Sequence, residues 1–157
     1  MRILHITNDY SGSTVYKNLI RELDCLRITQ IVYNPVRDRN RIGRNAINFY
    51  MDKSKIIYRP ILTYHIDRAV YPWKIRKVFI DIQKQIDLTK IDLIHAHTWY
   101  SDGGVAYLLS KEYDIPYVIT IRNTDLNIFQ EKLKYLRPFG RNILNKSSKV
   151  ILISKAH

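Results

Sequence analysis

The chain has 157 residues, 46% of them hydrophobic and 25% charged, which is the composition of one folded domain and excludes a disordered or fibrous chain. Lys and Arg number 26 against 14 Asp and Glu, a formal charge of +12 with a pI near 9.8, so an anionic partner is expected: nucleic acid, an anionic membrane surface or a phosphorylated substrate. A single cysteine, Cys25, excludes an internal disulfide and a cysteine-rich metal site, and fits a reducing compartment.

From the N-terminus, Arg2 to Thr7 is a short apolar run that ends in the turn-prone stretch Asn8-Asp9-Tyr10-Ser11-Gly12-Ser13. A buried strand and its loop have this pattern, and the run is too short for a signal peptide. Nowhere does the sequence approach the roughly 20 apolar residues of a membrane-spanning helix, so a cytoplasmic protein is expected. Tyr16, Leu19, Ile20 and Leu23 recur at helical spacing, with Ser11 or Ser13 placed to cap the helix and Cys25 expected on its apolar side. Ile28 to Tyr33 reads as a second strand, stopped by Asn34-Pro35. Strand, loop, helix, strand is the βαβ unit of a parallel sheet.

The basic stretch Arg37 to Arg44 is expected to be exposed, and Ile56 to Ile61 reads as a third strand with Pro60 marking its end. From Trp73 a helix places Ile75, Val78, Phe79, Ile82 and Ile86 on one face, and Lys74, Lys77, Asp81 and Lys84 largely on the other. Ile91 to His95 has a buried-strand pattern, Gly103-Gly104 opens a helix that runs through Ser110 and Tyr113, and Tyr117 to Ile121 is a further strand. Helical stretches near Leu126 to Tyr135 and Arg141 to Asn145 precede a last strand, Lys149 to Ile153. The alternation predicts an α/β fold: a Rossmann-like, doubly wound parallel sheet in a single domain. Because the chain stops just after that strand, it reads as a fragment of a longer protein or as a designed chain.

Ligands of such sheets bind at the carboxyl ends of the strands, which selects three loops. In the first, Ser11, Gly12 and Ser13 offer close backbone approach and helix-start amides to an anion. No G-x-G-x-x-G or Walker pattern accompanies them. The second loop carries His95, His97 and Thr98. Read as alternating, the two histidines point to opposite faces and make poor joint metal ligands, so no metal is expected; His97 and Thr98, nearer the tip, are the site candidates. Gly103-Gly104 there either holds an anion or permits the turn. The third loop, Thr120-Ile121-Arg122-Asn123-Thr124-Asp125, puts a charged, amide-rich cluster directly after a strand. Arg122 is the natural oxyanion partner, while Asn123 and Asp125 serve equally as hydroxyl ligands or helix caps.

Four stretches together carry a resemblance: Arg2-Ile3-Leu4-His5-Ile6, Ile91-Asp92-Leu93-Ile94-His95-Ala96-His97, Pro116-Tyr117-Val118-Ile119-Thr120 and Lys149-Val150-Ile151-Leu152-Ile153-Ser154. Over nearly its whole length the chain resembles the N-terminal domain of family 4 glycosyltransferases, retaining enzymes of the GT-B architecture. The resemblance implies that this domain holds the acceptor, while a second domain, absent from this chain, binds most of the nucleotide-sugar. The family's glycine loop maps to Ser11-Gly12-Ser13, with Ser11 where a second glycine is frequent. Its T-x-H sequence falls on Thr120-Ile121-Arg122, so Arg122 replaces the histidine that approaches the transferred sugar. Neither a cofactor beyond the nucleotide-sugar co-substrate nor a protein nucleophile is implied, and the leaving phosphate assists the acceptor.

The partners expected are therefore a glycan or lipid-linked acceptor and a nucleotide-sugar donor, with polysaccharide biosynthesis as the common role of the family. Tyr71-Pro72-Trp73-Lys74-Ile75-Arg76-Lys77 interleaves aromatic and basic residues, and Trp73, Lys74 and Lys77 are expected to face an anionic membrane at the inner leaflet. Binding of RNA or DNA by a non-catalytic basic module is the alternative, though no nucleic-acid motif supports it.

Overall fold

The computed structural model describes residues 1–63, 70–122, 125–131 and 133–153. Six strands form one parallel sheet: β1 (Arg2–Ile6), β2 (Thr29–Pro35), β3 (Lys55–Arg59), β4 (Leu93–Ala96), β5 (Tyr117–Ile121) and β6 (Lys149–Leu152), in the order β3-β2-β1-β4-β5-β6. The long helices are α1 (Thr14–Cys25), α2 (Tyr71–Gln85), α3 (Ser101–Tyr113) and α4 (Arg137–Lys146). The doubly wound architecture expected from the alternating pattern is the one observed. β1 and β2 are buried over all but their first residues because both sheet faces are covered there.

Side-chain alternation along β1 divides the interior in two. Leu4 and Ile6 join the larger core, with Ile94, Ala96, Tyr117 and Ile119 from the sheet and Ile75, Val78, Ile82, Val105, Leu109 and Ile143 from α2, α3 and α4. A smaller core holds Tyr10, Tyr16, Ile20 and Val32. Only α1 among the long helices supplies it.

In α1 the buried stripe is Tyr16, Ile20 and Asp24, while Leu19 and Cys25 are exposed. Cys25 is thus not a core residue: it ends the helix one position beyond the stripe. Asp24 is buried because its carboxylate accepts the Tyr50 N–H at 2.7 Å, pinning the long connection between β2 and β3. In α2 the apolar face is as read, but Lys74 is only 7% exposed and its Nζ donates to Ser101 Oγ at 3.1 Å. A lysine stem buried along α3 leaves its ammonium near the start of that helix, away from the outer face where Trp73 and Lys77 lie.

Gly103 and Gly104 lie inside the first turn of α3 rather than in the turn before it. A Cβ on Gly104 would meet Tyr71 Oη at 2.6 Å and Ile75 of α2, and one on Gly103 would meet Ile143 of α4 at 3.1 Å. The pair lets three helices approach closely, which is packing rather than anion binding. Across the far edge, Asp81 of α2 receives Arg59 Nε at 2.8 Å and Nη2 at 2.7 Å together with Tyr33 Oη at 2.6 Å, so it clamps α2 to β2 and β3. The stretch after β5 is a π-helical turn, Asp125–Gln130, followed by a short 3-10 turn, not one regular helix. No helix among the described residues is long and apolar enough to cross a membrane.

Candidate active site

Chain direction across the sheet reverses between β1 and β4, which opens a crevice at their carboxyl ends. Three loops border it, and hydrogen bonds lock them to one another. In the first, Asn34 of β2 donates through Nδ2 to the Thr7 carbonyl at 2.7 Å and accepts Ser11 Oγ at 2.6 Å. Ser11 is therefore buried and turned towards the sheet. Gly12 is exposed and lies under the Asp9 carboxylate, where a Cβ would sit 2.1 Å from Oδ1. Ser13 caps α1, accepting the Val15 N–H at 3.4 Å, and no acidic side chain occupies the first turn. The positive end of the helix thus faces the loop, with the Asp9 carboxylate beside it.

The first loop is tied to the second through Asp102. Its carboxylate accepts the Asn8 backbone N–H at 3.1 Å and the Asn8 side-chain amide, and it is fully buried. Burial pushes its carboxyl up to about 7. Thr98 caps α3: its Oγ1 accepts the Asp102 N–H at 3.1 Å, and its carbonyl accepts the Gly103 N–H at 2.9 Å.

His95 and His97 do not point apart. Residues two apart in a strand share a face, and their rings stack with centroids 4.0 Å apart. His5 stands opposite His95 in the register of β1 and β4, and its Nδ1 lies 3.0 Å from His97 Nε2. The three imidazoles form one buried cluster. Burial holds His5 and His97 well below the usual histidine range and His95 at about 4, with the Arg122 charge adding to the shift in His95 and His97.

In the third loop Thr120 Oγ1 pairs with His95 Nε2 at 2.9 Å, which occupies it inside the sheet. Arg122 is half-buried at the end of β5. Its Nε donates to the His97 carbonyl at 3.1 Å, and its guanidinium lies 4.4 Å from the centre of the Tyr16 ring. Those two contacts orient the guanidinium, and its terminal nitrogens make no hydrogen bond among the described residues. Asp125 is buried, and burial raises its pKa. It accepts the N–H groups of Trp99 at 3.0 Å, Tyr100 at 3.2 Å and Arg122 at 3.0 Å. Asp125 therefore joins the second and third loops. Asn123 lies outside the described residues.

The structure brings Arg122 and His97 together and adds Tyr16, which sequence periodicity presented only as a core position. Its one signal was its place in the first turn of α1, just after the glycine loop. Ser11, Thr98, Thr120 and Asp125 line the same edge with their polar atoms engaged by protein groups. Trp73, 58% exposed, and Lys77 instead border a groove of about 310 Å³ on the outer face of α2, with Ile61, Arg76, Ile80, Asp81 and Lys84.

Comparison with known proteins agrees with this topology. The family model described as Glycosyltransferase Family 4 matches residues 12–157. The chain is 30% identical over 175 aligned positions to the Bacillus subtilis (strain 168) protein named "Putative teichuronic acid biosynthesis glycosyltransferase TuaC", covering 98% of this chain and 44% of that protein. It is 34% identical over 70 positions to "Uncharacterized glycosyltransferase MJ1178" of Methanocaldococcus jannaschii, covering 45% of this chain and 20% of the relative. The chain thus spans less than half the length of these curated relatives. Among solved structures, a sucrose-phosphate synthase from Thermosynechococcus elongatus shares the fold with a TM-score of 0.69 at 18% identity, over 99% of this chain and 78% of that one. The UDP-GlcNAc 2-epimerase of Neisseria meningitidis, bound to UDP-GlcNAc, gives 0.55 at 17% identity, over 97% and 46%. The match to the family model over nearly the whole chain, on a parallel sheet of the expected order, places this protein in Glycosyltransferase Family 4, as the N-terminal domain of its GT-B architecture.

Proposed function

We propose that this domain is the acceptor-side half of a retaining transferase, moving a sugar from a nucleotide-sugar to a glycan or lipid-linked acceptor. The observation that carries the reading is Arg122: a cation fixed at the crevice by the His97 carbonyl and the Tyr16 ring. In the reaction the bond from the anomeric carbon to the donor phosphate breaks, and the acceptor hydroxyl oxygen bonds that carbon on the same face. Its proton passes to the leaving phosphate. Arg122 stabilises the negative charge that builds there, helped by the α1 N-terminus. His97, neutral through burial, orients Arg122 through its carbonyl. No cofactor beyond the nucleotide-sugar is required, and the second domain binds most of that donor.

The name of the Bacillus relative, with its reference to teichuronic acid biosynthesis, supports polysaccharide assembly as the setting. Incubated with a panel of nucleotide-sugars and a lipid-linked acceptor, the intact protein is expected to give product that keeps the donor's anomeric configuration. The 157-residue chain by itself is expected to melt cooperatively and turn nothing over. Inverted product from the intact protein, or robust turnover by the chain alone, would refute the reading.

The outer face of α2 is the proposed contact with an anionic membrane at the cytoplasmic leaflet. Trp73 and Ile80, 58% and 40% exposed, supply an apolar wedge, and Arg76, Lys77 and Lys84 surround it. Each basic residue near such a surface adds about 1 kcal/mol. Anionic vesicles are expected to float the protein at low salt, neutral vesicles are not, and salt should release it. Replacing Trp73 and Lys77 together should abolish flotation, whereas Lys74→Gln should not weaken it, because Lys74 faces inward. Short RNA that displaced the vesicles at matched charge would favour the nucleic-acid alternative.

A further inference from the structure

We propose that His5, His95 and His97 form a binding site for a divalent transition metal, zinc above all, in which their imidazole nitrogens are the three protein ligands and a fourth position stays open. The topology gathers them. His95 on β4 and His97, the first residue past its end, stand two apart with their rings stacked on one face, and His5, directly opposite His95 on β1, projects from the same side of the sheet. One ligand nitrogen from each of the three rings lies within 4.8 Å of the others. His5 Nδ1 and His97 Nε2 are already 3.0 Å apart. A tetrahedral ion with bonds of 2.0–2.1 Å holds its nitrogens roughly 3.3 Å apart, so this pair needs a few tenths of an ångström and the third ring a shift of about 1.5 Å at most.

The surroundings fit a ligand set as well as a packed core. Metal binding needs unprotonated imidazole, and burial keeps all three rings neutral, so little is lost to competing protons. Ligating histidines are oriented by a polar group at the other ring nitrogen. His95 Nε2 has Thr120 Oγ1 at 2.9 Å. Beside the His5 ring stands Gln30, whose Nε2 is fixed by the Ile20 carbonyl at 3.0 Å and whose Oε1 has no hydrogen-bond partner among the described residues. His5 Nε2 is likewise buried without a partner, although Nδ1 pairs with His97 Nε2, so the Gln30 oxygen is the group that would orient the ring once an ion takes Nδ1. His95 is 8% exposed and gives the cluster its side of entry. Arg122 disfavours positive charge here, so the fourth ligand should be a small anion such as hydroxide. Bound there, the ion ties β1 to β4 directly beneath the His97 carbonyl that orients Arg122. Three histidines with an open position are a known zinc donor set.

The test uses tag-free protein, stripped with a chelator and dialysed against Zn²⁺ or Co²⁺. A single ion per chain is expected, with visible Co²⁺ bands of four-coordinate geometry and a melting temperature that rises with Zn²⁺ concentration. His95→Gln should weaken affinity by more than the roughly 10–100-fold that removal of an outer partner costs, and Gln30→Ala by about tenfold. Circular dichroism checks that each variant is folded. The double variant His65→Gln, His157→Gln, which removes the other two histidines, should bind like the parent. Failure to take up Zn²⁺, uptake that survives in folded His95→Gln, or uptake lost in the double variant would each overturn the proposal. Where His95→Gln does not fold, Gln30→Ala and the double variant decide it. None of these readouts involves sugar transfer, so the site stands or falls apart from the proposed reaction.

Discussion

Arg122→Ala is expected to lower kcat of the intact enzyme by about 10²–10³-fold, the loss seen when one donor to a developing oxyanion is removed, or roughly 2.7–4 kcal/mol. Its structural cost should be much smaller. The residue makes one hydrogen bond to the His97 carbonyl and one cation–π contact with Tyr16, and it is half-buried, so water can take over the carbonyl. Together these are worth about 1–2 kcal/mol, or a few degrees of melting temperature. Arg122→Lys keeps the charge but loses the planar fork that reaches His97 and the crevice together, so it should recover only part of the activity. Tyr16→Ala removes the ring that holds the guanidinium and should lower kcat without touching substrate, while Tyr16→Phe, which keeps the ring face, should not. A folded Arg122→Ala enzyme with wild-type kcat/KM would move the charge stabilisation elsewhere.

How much of this was legible in the sequence follows from the kind of physics each feature uses. Buried parallel strands are apolar on both faces, so β1, β2, β4 and β5 stood out as short apolar runs ended by turns. Helix α2 showed its face through spacing alone. What escaped depended on long-range partners or on strand parity. His95 and His97 share a face because a strand repeats every two residues, and His5 joins them only through the register of β1 with β4, which no local pattern encodes. Lys74 belonged by spacing to the polar face of α2. It turns inward because Ser101, 27 residues away, accepts its ammonium. Gly103 and Gly104 signalled a turn but serve close helix packing, a role set by Tyr71, Ile75 and Ile143. Cys25 failed for a smaller reason: the stripe of α1 steps by four, through Tyr16, Ile20 and Asp24, and leaves both Leu19 and Cys25 outside.

Asp125→Ala is expected to cost about 3–5 kcal/mol of stability, the largest effect of any single change at this edge. The carboxylate is 1% exposed and is the acceptor for three backbone N–H groups, on Trp99, Tyr100 and Arg122. Each buried donor left without a partner costs about 1–3 kcal/mol, less for Arg122, whose surroundings are partly open to water. Relief from burying the carboxylate, whose pKa is raised by that burial, offsets part of the sum. Asp125→Asn separates the contributions. Its one amide oxygen can keep two donors, but the NH₂ opposes the third, so about 1–3 kcal/mol should be lost. Denaturant titration measures both variants, and hydrogen exchange should quicken at Trp99 and Tyr100 in Asp125→Ala before the sheet core changes. Activity should fall in step with stability, since Arg122 loses its backbone anchor. An Asp125→Ala protein within about 0.5 kcal/mol of the parent, yet poor in acceptor binding, would show that the carboxylate holds substrate hydroxyls instead of the two loops.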